Sequence, residues 1–576
     1  MTPFQAAHWA VTPGAGQGDA VASMPDGGAL RLAFLSGSMA RVTWVRPDGF
    51  REPATWAIAP TAGEDVPWQG RLRDSLAGFS RPSLTVRNSS ATDSNSAPSL
   101  ETTDLRVTLA AGVAGTPRLI WQAPTTGQVY MADRATSAYL ASKRTGAIRH
   151  CVVRDPADRY FGLGDKTGPL NLHGRRLRCM GQDSLGYDPQ SGDPLYKHWP
   201  FLMQRTPDGL WLGIFYDTLS ACTFDLGCEH DNYHDFFRTI EIDDGDLDYY
   251  IMVGDSPAAV LHQFMALIGG THLPPKWSVG FALTAMGLAD APDAQQQLTA
   301  FIAACGDNRM PISAFHYGSG YSSRGKQRYV FNWNRDKFPD PEGINRSFQE
   351  AGMRLVANIK PCLLDDHPAY QTVRDADGFI NNRSTGEPVV EPFWDGNGAY
   401  LDFTKPQAVQ WWQSGLRQQI LEKGIDSGWN DNNEYAIQSE DAVSDLWGQA
   451  GPIHRSRPLH ALLMTRATFE AQTAYATATS RDEAVYTITR AGPPGLQRYA
   501  QTWSGDNTTS WETLKWNIRT GLQMCLSGMF NVGHDVGGFF GPSPEPELLA
   551  RWVQACALNP RMVMNSWNSR VNCAWS

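Results

Sequence analysis

Up to about residue 271 the apolar positions come in short runs that alternate with polar ones, as in Ala40-Arg41-Val42-Thr43-Trp44-Val45 and Leu105-Arg106-Val107-Thr108-Leu109. Side chains on a strand point to opposite faces in turn, so a period of two marks strands with one buried face. Gly, Pro and Asp separate the runs at short intervals, which predicts an antiparallel β-sandwich over residues 1–271. Inside it, the Ser-, Asn- and Thr-rich stretch from Asn88 to about residue 101 reads as a disordered surface loop.

Pro274-Pro275-Lys276-Trp277 marks the boundary, and over residues 272–576 apolar runs alternate with patterns of helical period. Strands are expected near 278–283, 312–316, 353–359, 425–430, 485–490, 500–504, 530–535 and 562–566. Helices are expected at 293–305, 342–351, 406–423, 459–477, 511–526 and 546–556. The third helix is the best signalled. Thr404 can cap it, Pro406 suits its first turn, Ala408, Trp412, Leu416 and Ile420 form one stripe, and Gly424 stops it. Strand–helix alternation repeated about eight times predicts a (β/α)8 barrel ending near its eighth strand, an α/β fold behind the sandwich. A doubly wound open sheet is the competing arrangement, but it would not spread acids over so many strand ends.

Those strand ends carry the chemistry. Gly428-Trp429-Asn430-Asp431-Asn432-Asn433-Glu434-Tyr435 sets two carboxylates among three carboxamides and two aromatics. Trp503-Ser504-Gly505-Asp506-Asn507 and Gly533-His534-Asp535-Val536-Gly537-Gly538-Phe539 are two further acidic ends. The carboxyl ends of the strands are where an α/β barrel keeps its active site. Carboxylates on separate strand ends, surrounded by Trp, point to attack on a polyhydroxylated substrate at an acetal carbon.

Composition narrows the alternatives. A net charge of −10 without any Lys/Arg run argues against a nucleic-acid partner. No apolar run approaches the length of a membrane span. The first thirty residues lack a basic start followed by an apolar run, so a cytoplasmic location is expected. The sequons at Asn88 and Asn507 then read as chance matches. Nine scattered Cys without CxxC spacing indicate neither a disulfide framework nor a zinc site. His316 and His534 show no ligand pattern, and neither metal nor cofactor is called for. Two glycine-rich stretches evoke phosphate loops. No strand precedes Gly14-Ala15-Gly16-Gln17-Gly18, and in Gly162-Leu163-Gly164-Asp165-Lys166-Thr167 an acid that would repel phosphate separates glycine from lysine.

Trp429-x-Asp431-x-Asn433-Glu434 resembles the nucleophile motif of glycoside hydrolase family 31, the α-glucosidases and their relatives. Arg490, followed sixteen residues on by Gly505-Asp506-Asn507, resembles that family's transition-state arginine and acid/base segment, and the Asp535 segment resembles its next strand. Phe315 to Tyr321, Arg328 to Asn334, Asn358 to Leu364 and Pro392-Phe393-Trp394 are similar to a bacterial α-glucosidase and isomaltase branch. The likeness runs from about residue 105 to 567.

It implies a retaining, exo-acting α-glycosidase acting on α-linked oligosaccharides, with Asp431 as nucleophile and Asp506 as acid/base. The carboxamides beside Asp431 would hold it ionised, and Trp503 would raise the pKa of Asp506 by desolvation. Asp183, in the loop Gly181 to Asp188, would reach from the sandwich into the sugar site; capping a turn is the other reading. Asp535 would bind ring hydroxyls or serve as a turn residue. Arg490 would bind a sugar hydroxyl or a catalytic carboxylate, or form a structural ion pair. Trp394, Trp429 and Trp503 are candidate pocket walls or core residues, and Glu434 would orient its neighbours.

Several positions depart from the family pattern. Ser313 stands where many members carry an Asp that binds a remote sugar hydroxyl, Asn565 where many carry His, and Asn432 where Met is common. An α-xylosidase or another α-glycoside specificity therefore stays open, as does self-association. Beyond Asn565-Ser566-Trp567-Asn568 the family continues with a last barrel helix and β-domains, whereas this chain ends at Ser576. The expectation is bare apolar surface on the eighth strand, and with it a weakly active or catalytically silent carbohydrate-binding form.

Overall fold

The computed structural model describes residues 1–4, 9–12, 19–87 and 97–567. Among the described residues, the N-terminal half is built mainly from three antiparallel sheets, with a two-stranded pair, Ala54–Thr55 and Arg71–Leu72, beside them. The largest has eight strands, in the order Arg159–Gly162, Phe201–Arg205, Trp211–Tyr216, Asp248–Gly254, Met39–Val45, Ala29–Phe34, Ala20–Ser23 and Trp9–Val11. A six-stranded sheet and a five-stranded sheet complete the sandwich. Leu32, Val42, Ile148, Leu212, Phe224, Ile240 and Ile251 are among the side chains that fill it.

Alternation is clean on the outer strands. In Arg106–Ala111, Val107 and Leu109 are buried while Arg106 and Thr108 are half-exposed. It fails on the central strand Met39–Val45, where only the last residue escapes burial. The second face of that sheet packs towards the barrel: Met39, Phe201, Phe215 and Met252 join Val260 and Phe264 in the core shared with the barrel. The polar residues of the strand are then paired inside. Asp248 receives Arg41 at 2.7 and 2.6 Å and Arg73 at 2.8 Å, the pairing a buried guanidinium requires.

The expected surface loop is corrected at its end. Ser99–Glu101 is a strand, hydrogen-bonded between Thr85–Arg87 and Arg106–Ala111, with Leu100 buried. Residues 88–96 lie outside the described residues.

The C-terminal half is a parallel barrel: β1 Phe281–Ala285, β2 Ile312–Tyr317, β3 Arg354–Ile359, β4 Ser427–Asn430, β5 Ile488–Thr489, β6 Thr502–Trp503, β7 Val532–Val536 and β8 Arg561–Ser566. The pairing runs β5-β4-β3-β2-β1-β8-β7-β6. The ring closes between β5 and β6 through one parallel bridge, Ile488 to Gln501, where Gln501 N–H donates to Thr487 O and Thr489 N–H to Gln501 O. The six expected helices are α1 Ala294–Asp307, α2 Pro341–Glu350, α3 Pro406–Gln419, α4 Arg457–Ala478, α5 Trp511–Cys525 and α6 Pro546–Cys556.

Two local expectations change. Lys405, not Thr404, is the N-cap of α3, because the Thr404 hydroxyl donates to Asp402 at 2.5 Å and accepts from Leu446 N–H. The helix breaks at Ile420 into a short 3-10 turn, and Gly424 stops it in the left-handed region at φ 88°. On β8, Val563 faces the barrel interior and Met564 is buried in the core shared with the sandwich. Only Met562, partly buried, carries the expected bare face.

Candidate active site

The barrel brings the acidic ends of β4 and β6 to one cleft. Asp431 follows β4 directly, its N–H donating to Ile359 O, and Arg490 follows β5 directly, its N–H donating to Asn430 O. Asp506 lies three residues beyond β6, past Gly505 in the left-handed region at φ 77°. A Cβ on Gly505 would sit 1.9 Å from the Tyr196 ring, so both the backbone conformation and the space require glycine there.

Arg490 organises the centre. It is 1% exposed and makes a two-pronged pair with Glu434 at 2.7 and 2.9 Å. Its Nη1 lies 3.0 Å from Asp506 and 3.3 Å from Asp431, its Nη2 lies 3.1 Å from Asp183, and the guanidinium covers the Tyr196 ring at 4.8 Å. The contacts of Arg490 are those of the carboxylate-binding and ion-pair readings, with Glu434 fixing its orientation. Because both acids reach the same nitrogen, their nearest oxygens are roughly 6 Å apart or less. That limit on one oxygen pair is compatible with the ~5–5.5 Å carboxyl spacing of retaining enzymes.

The surroundings push the two acids in opposite directions. Burial alone would raise the pKa of Asp431, but Lys360 and Arg490, with the hydrogen bond from Asn358, hold it well below the carboxylate range. Its Oδ2 accepts from Asn358 Nδ2 at 2.9 Å and Lys360 Nζ at 2.7 Å. Asp506 goes the other way. Burial pushes it well above the ordinary value, Arg490 opposes this, and the charges of Asp431, Asp183 and Asp535 add to it. A carboxyl whose pKa is lowered beside one whose pKa is raised is what a nucleophile and a proton donor need.

The carboxamides beside Asp431 do not supply its charge, contrary to expectation. Asn432 bonds Lys360 and donates to Asp183 at 3.0 Å; Asn433 donates to Thr489 Oγ1 and accepts from Ala491 N–H. They hold the loops instead. The donor to Asp431 is Asn358 on β3, and the cation is Lys360 just past that strand. Sequence reasoning missed Lys360, although a charged residue at a strand end was the signal already used for the acids.

The sandwich completes the site. Tyr196 OH accepts from Asp506 N–H at 3.1 Å, Gly186 N–H donates to Asp506 O, and Lys197, fully buried, donates to Trp503 O at 2.5 Å. The same excursion carries Asp183 to Arg490 and Asn432, so Asp183 arrives at the cluster instead of capping a turn.

Of the expected aromatic walls, Trp394 and Trp429 line the cleft. Trp394 is 43% exposed and meets the 41% exposed Trp567 edge-on at 5.8 Å, while Phe539 stacks on Trp567. Trp567 and Phe539 went unrecognised in the sequence. Trp503 is corrected: it is 1% exposed and lies in the barrel interior against Trp429, Tyr486 and Ile488, with Arg561 over its ring. Asp535 is fully buried and does not line the cleft, accepting from Asn565 Nδ2 at 2.9 Å with Arg561 at 3.5 Å. Burial lifts its pKa to about 7 against the pull of Arg561. Ser313 is also corrected. It is the second residue of β2, beside Gly280 at the opposite mouth of the barrel, so it cannot meet a sugar held at Asp431. Asn507 is buried with its amide donating to Asn517 and to Asp535 O, which closes it to glycosylation. Among the described residues no cluster of three or more His, Cys, Asp or Glu could hold a metal ion, and no helix is long and apolar enough to cross a membrane.

An α-glucosidase of Bacillus thermoamyloliquefaciens is 29% identical over 421 residues, covering 71% of this chain and 50% of the relative. An α-xylosidase of Lactiplantibacillus pentosus is 27% identical over 401 residues, covering 69% and 49%. The chain thus spans about half the length of these curated relatives. Among solved structures, a glucose complex of a Flavobacterium johnsoniae GH31 dextranase superposes with a TM-score of 0.83 at 22% identity, covering 99% of this chain and 66% of that one, a likeness of fold. The model of the glycosyl hydrolase 31 N-terminal galactose mutarotase-like domain matches residues 29–225, and that of the glycosyl hydrolases family 31 TIM-barrel domain matches residues 271–576. With its barrel model covering more than half of the sequence and its acids gathered on one arginine, the chain belongs to glycosyl hydrolase family 31.

Proposed function

We propose that this chain carries the catalytic centre of a retaining α-glycosidase that removes terminal α-linked glucose from oligosaccharides by double displacement. The observation that carries the reading is the pair Asp431 and Asp506, bridged by one Arg490 nitrogen, in surroundings that push the pKa of the first down and of the second up. In the first step the Asp431 carboxylate attacks the anomeric carbon. The glycosidic C–O bond breaks, and its oxygen takes the Asp506 proton. In the second, Asp506, now a carboxylate, takes a proton from water as that water attacks the anomeric carbon. The ester bond breaks, its electron pair returns to Asp431, and the product keeps the α configuration. Arg490 neutralises charge at both acids throughout. The exposed Trp394 and Trp567 flank the entrance, where indole faces suit the apolar faces of sugar rings.

The test is covalent trapping. A 5-fluoro-α-glucosyl fluoride incubated with the 576-residue chain should label Asp431, and Asp431→Asn should lose nearly all turnover with its melting curve kept. Label on any other residue refutes the assignment. A panel of aryl α-glucosides and α-xylosides tests the sugar, and faster xyloside turnover would overturn the glucose reading.

A further inference from the structure

We propose that Lys360 is a catalytic residue that acts on the covalent intermediate, holding the negative charge of the departing Asp431 carboxylate as the sugar is released. The inference rests on the double-displacement reading above. The two oxygens of Asp431 are not equivalent. Oδ2 carries both strong donors, Lys360 Nζ at 2.7 Å and Asn358 Nδ2 at 2.9 Å, whereas Oδ1 has Arg490 Nη1 at 3.3 Å. Oδ1 is the less encumbered and forms the bond to the anomeric carbon. Oδ2 then becomes the carbonyl oxygen of the glycosyl ester and keeps its two donors.

When water attacks the anomeric carbon and the bond to Oδ1 breaks, the electron pair returns to the carboxylate and spreads onto Oδ2, against the ammonium. A cation already fixed where charge develops requires no reorganisation at that moment. The same cation makes Asp431 a weaker nucleophile, so the residue favours release at the expense of attack. Its position is enforced: the ammonium also bonds the Asn432 carboxamide, and its side chain is 14% exposed on the cleft wall. The other charged groups around Asp431 are Arg490 from β5, Asp506 beyond β6, Asp535 from β7, Glu434 on its own loop and Asp183 from the sandwich. Among these Arg490 alone is cationic, and it is shared between four acids.

The experiment separates formation of the ester from its breakdown. The 576-residue chain and the variants Lys360→Gln and Lys360→Arg are trapped with 5-fluoro-α-glucosyl fluoride. Excess reagent is removed, and loss of the label is followed by intact mass. Gln keeps a donor and removes the charge. Lys360→Gln should form the ester at a rate no lower than the parent while losing it at least tenfold more slowly, about the effect of 1.4 kcal/mol. Lys360→Arg should restore most of the release rate. Formation and release slowed alike would show a merely structural part, and an unchanged release rate would also overturn the proposal. If the parent chain itself takes no label on Asp431, it is the double-displacement reading that fails.

Discussion

Replacing Arg490 with Met should damage stability and activity together, and the stability loss should grow with pH. The guanidinium is 1% exposed and faces Glu434, Asp183, Asp431 and Asp506 at 2.7 to 3.3 Å. Methionine fills much of the stem volume but removes the cation these acids share, leaving Lys360 on Asp431 and the fields of Lys197 and Arg457 on Glu434. Breaking a buried ion pair by removing one partner costs about 3–5 kcal/mol, a large part of the ~5–15 kcal/mol that holds a domain together. Part of that cost is relieved by protonation. Burial already raises the pKa of Glu434 despite Arg490 beside it, and without the arginine it rises further. A carboxyl raised in the folded state stabilises the fold fully below its unfolded pKa, and that contribution is lost as pH rises through the folded value. Arg490→Met should therefore lie closest to the parent near pH 4 and fall behind progressively towards pH 8. Denaturant melts at pH 4.5, 6 and 7.5 measure this directly. Turnover of an aryl α-glucoside should fall by about 10²–10³-fold. A stability deficit that is constant across pH, or that stays below about 1 kcal/mol at pH 7.5, would refute the claim that the arginine compensates these acids.

Three further outcomes are expected. Asp506→Ala should slow substrates with poor leaving groups far more than activated aryl glycosides, and azide should restore turnover of the latter; equal losses without rescue would remove Asp506 from the proton-donor role. Gly505→Ala should cost at least as much activity as Asp506→Ala on poor leaving groups, because its Cβ would collide with the Tyr196 ring. Tyr196→Ala in the same chain should recover part of it, and no recovery would show that φ 77° alone is the constraint. Asp535 is lifted by burial to about 7, so the stability contributed by its protonated form is lost as pH rises from about 4 to 7. Asp535→Asn should flatten the melting temperature over that interval, and an unchanged pH profile would contradict the shift.

The sequence by itself determined the architecture and set Asp431 and Asp506 at strand ends. Period-two runs gave the sandwich, strand–helix alternation gave the barrel, and a local motif around Asp431 or Asp506 survives any error in strand boundaries. These signals are local, since each depends on residues adjacent along the chain. What only the tertiary structure decided is set by neighbours distant in sequence. Lys360 and Asn358 hold the charge on Asp431 from more than 70 residues away, where the adjacent carboxamides were expected to do it. Tyr196 braces Asp506 from 310 residues away, out of a different domain. Trp503 and Trp394 were equally plausible as pocket walls because an indole reads the same in both places. Barrel closure turned Trp503 inward beneath Trp429 and left Trp394 exposed at the entrance. Ser313 shows the same limit, since its end of β2 could not be judged until the strand was placed among its neighbours. Protonation state is the clearest case. Asp431 and Asp506 are the same residue type in similar polar–aromatic surroundings, and what separates them is that Lys360 and Asn358 bond Asp431 and pull its pKa down, whereas burial and the neighbouring acids push that of Asp506 up.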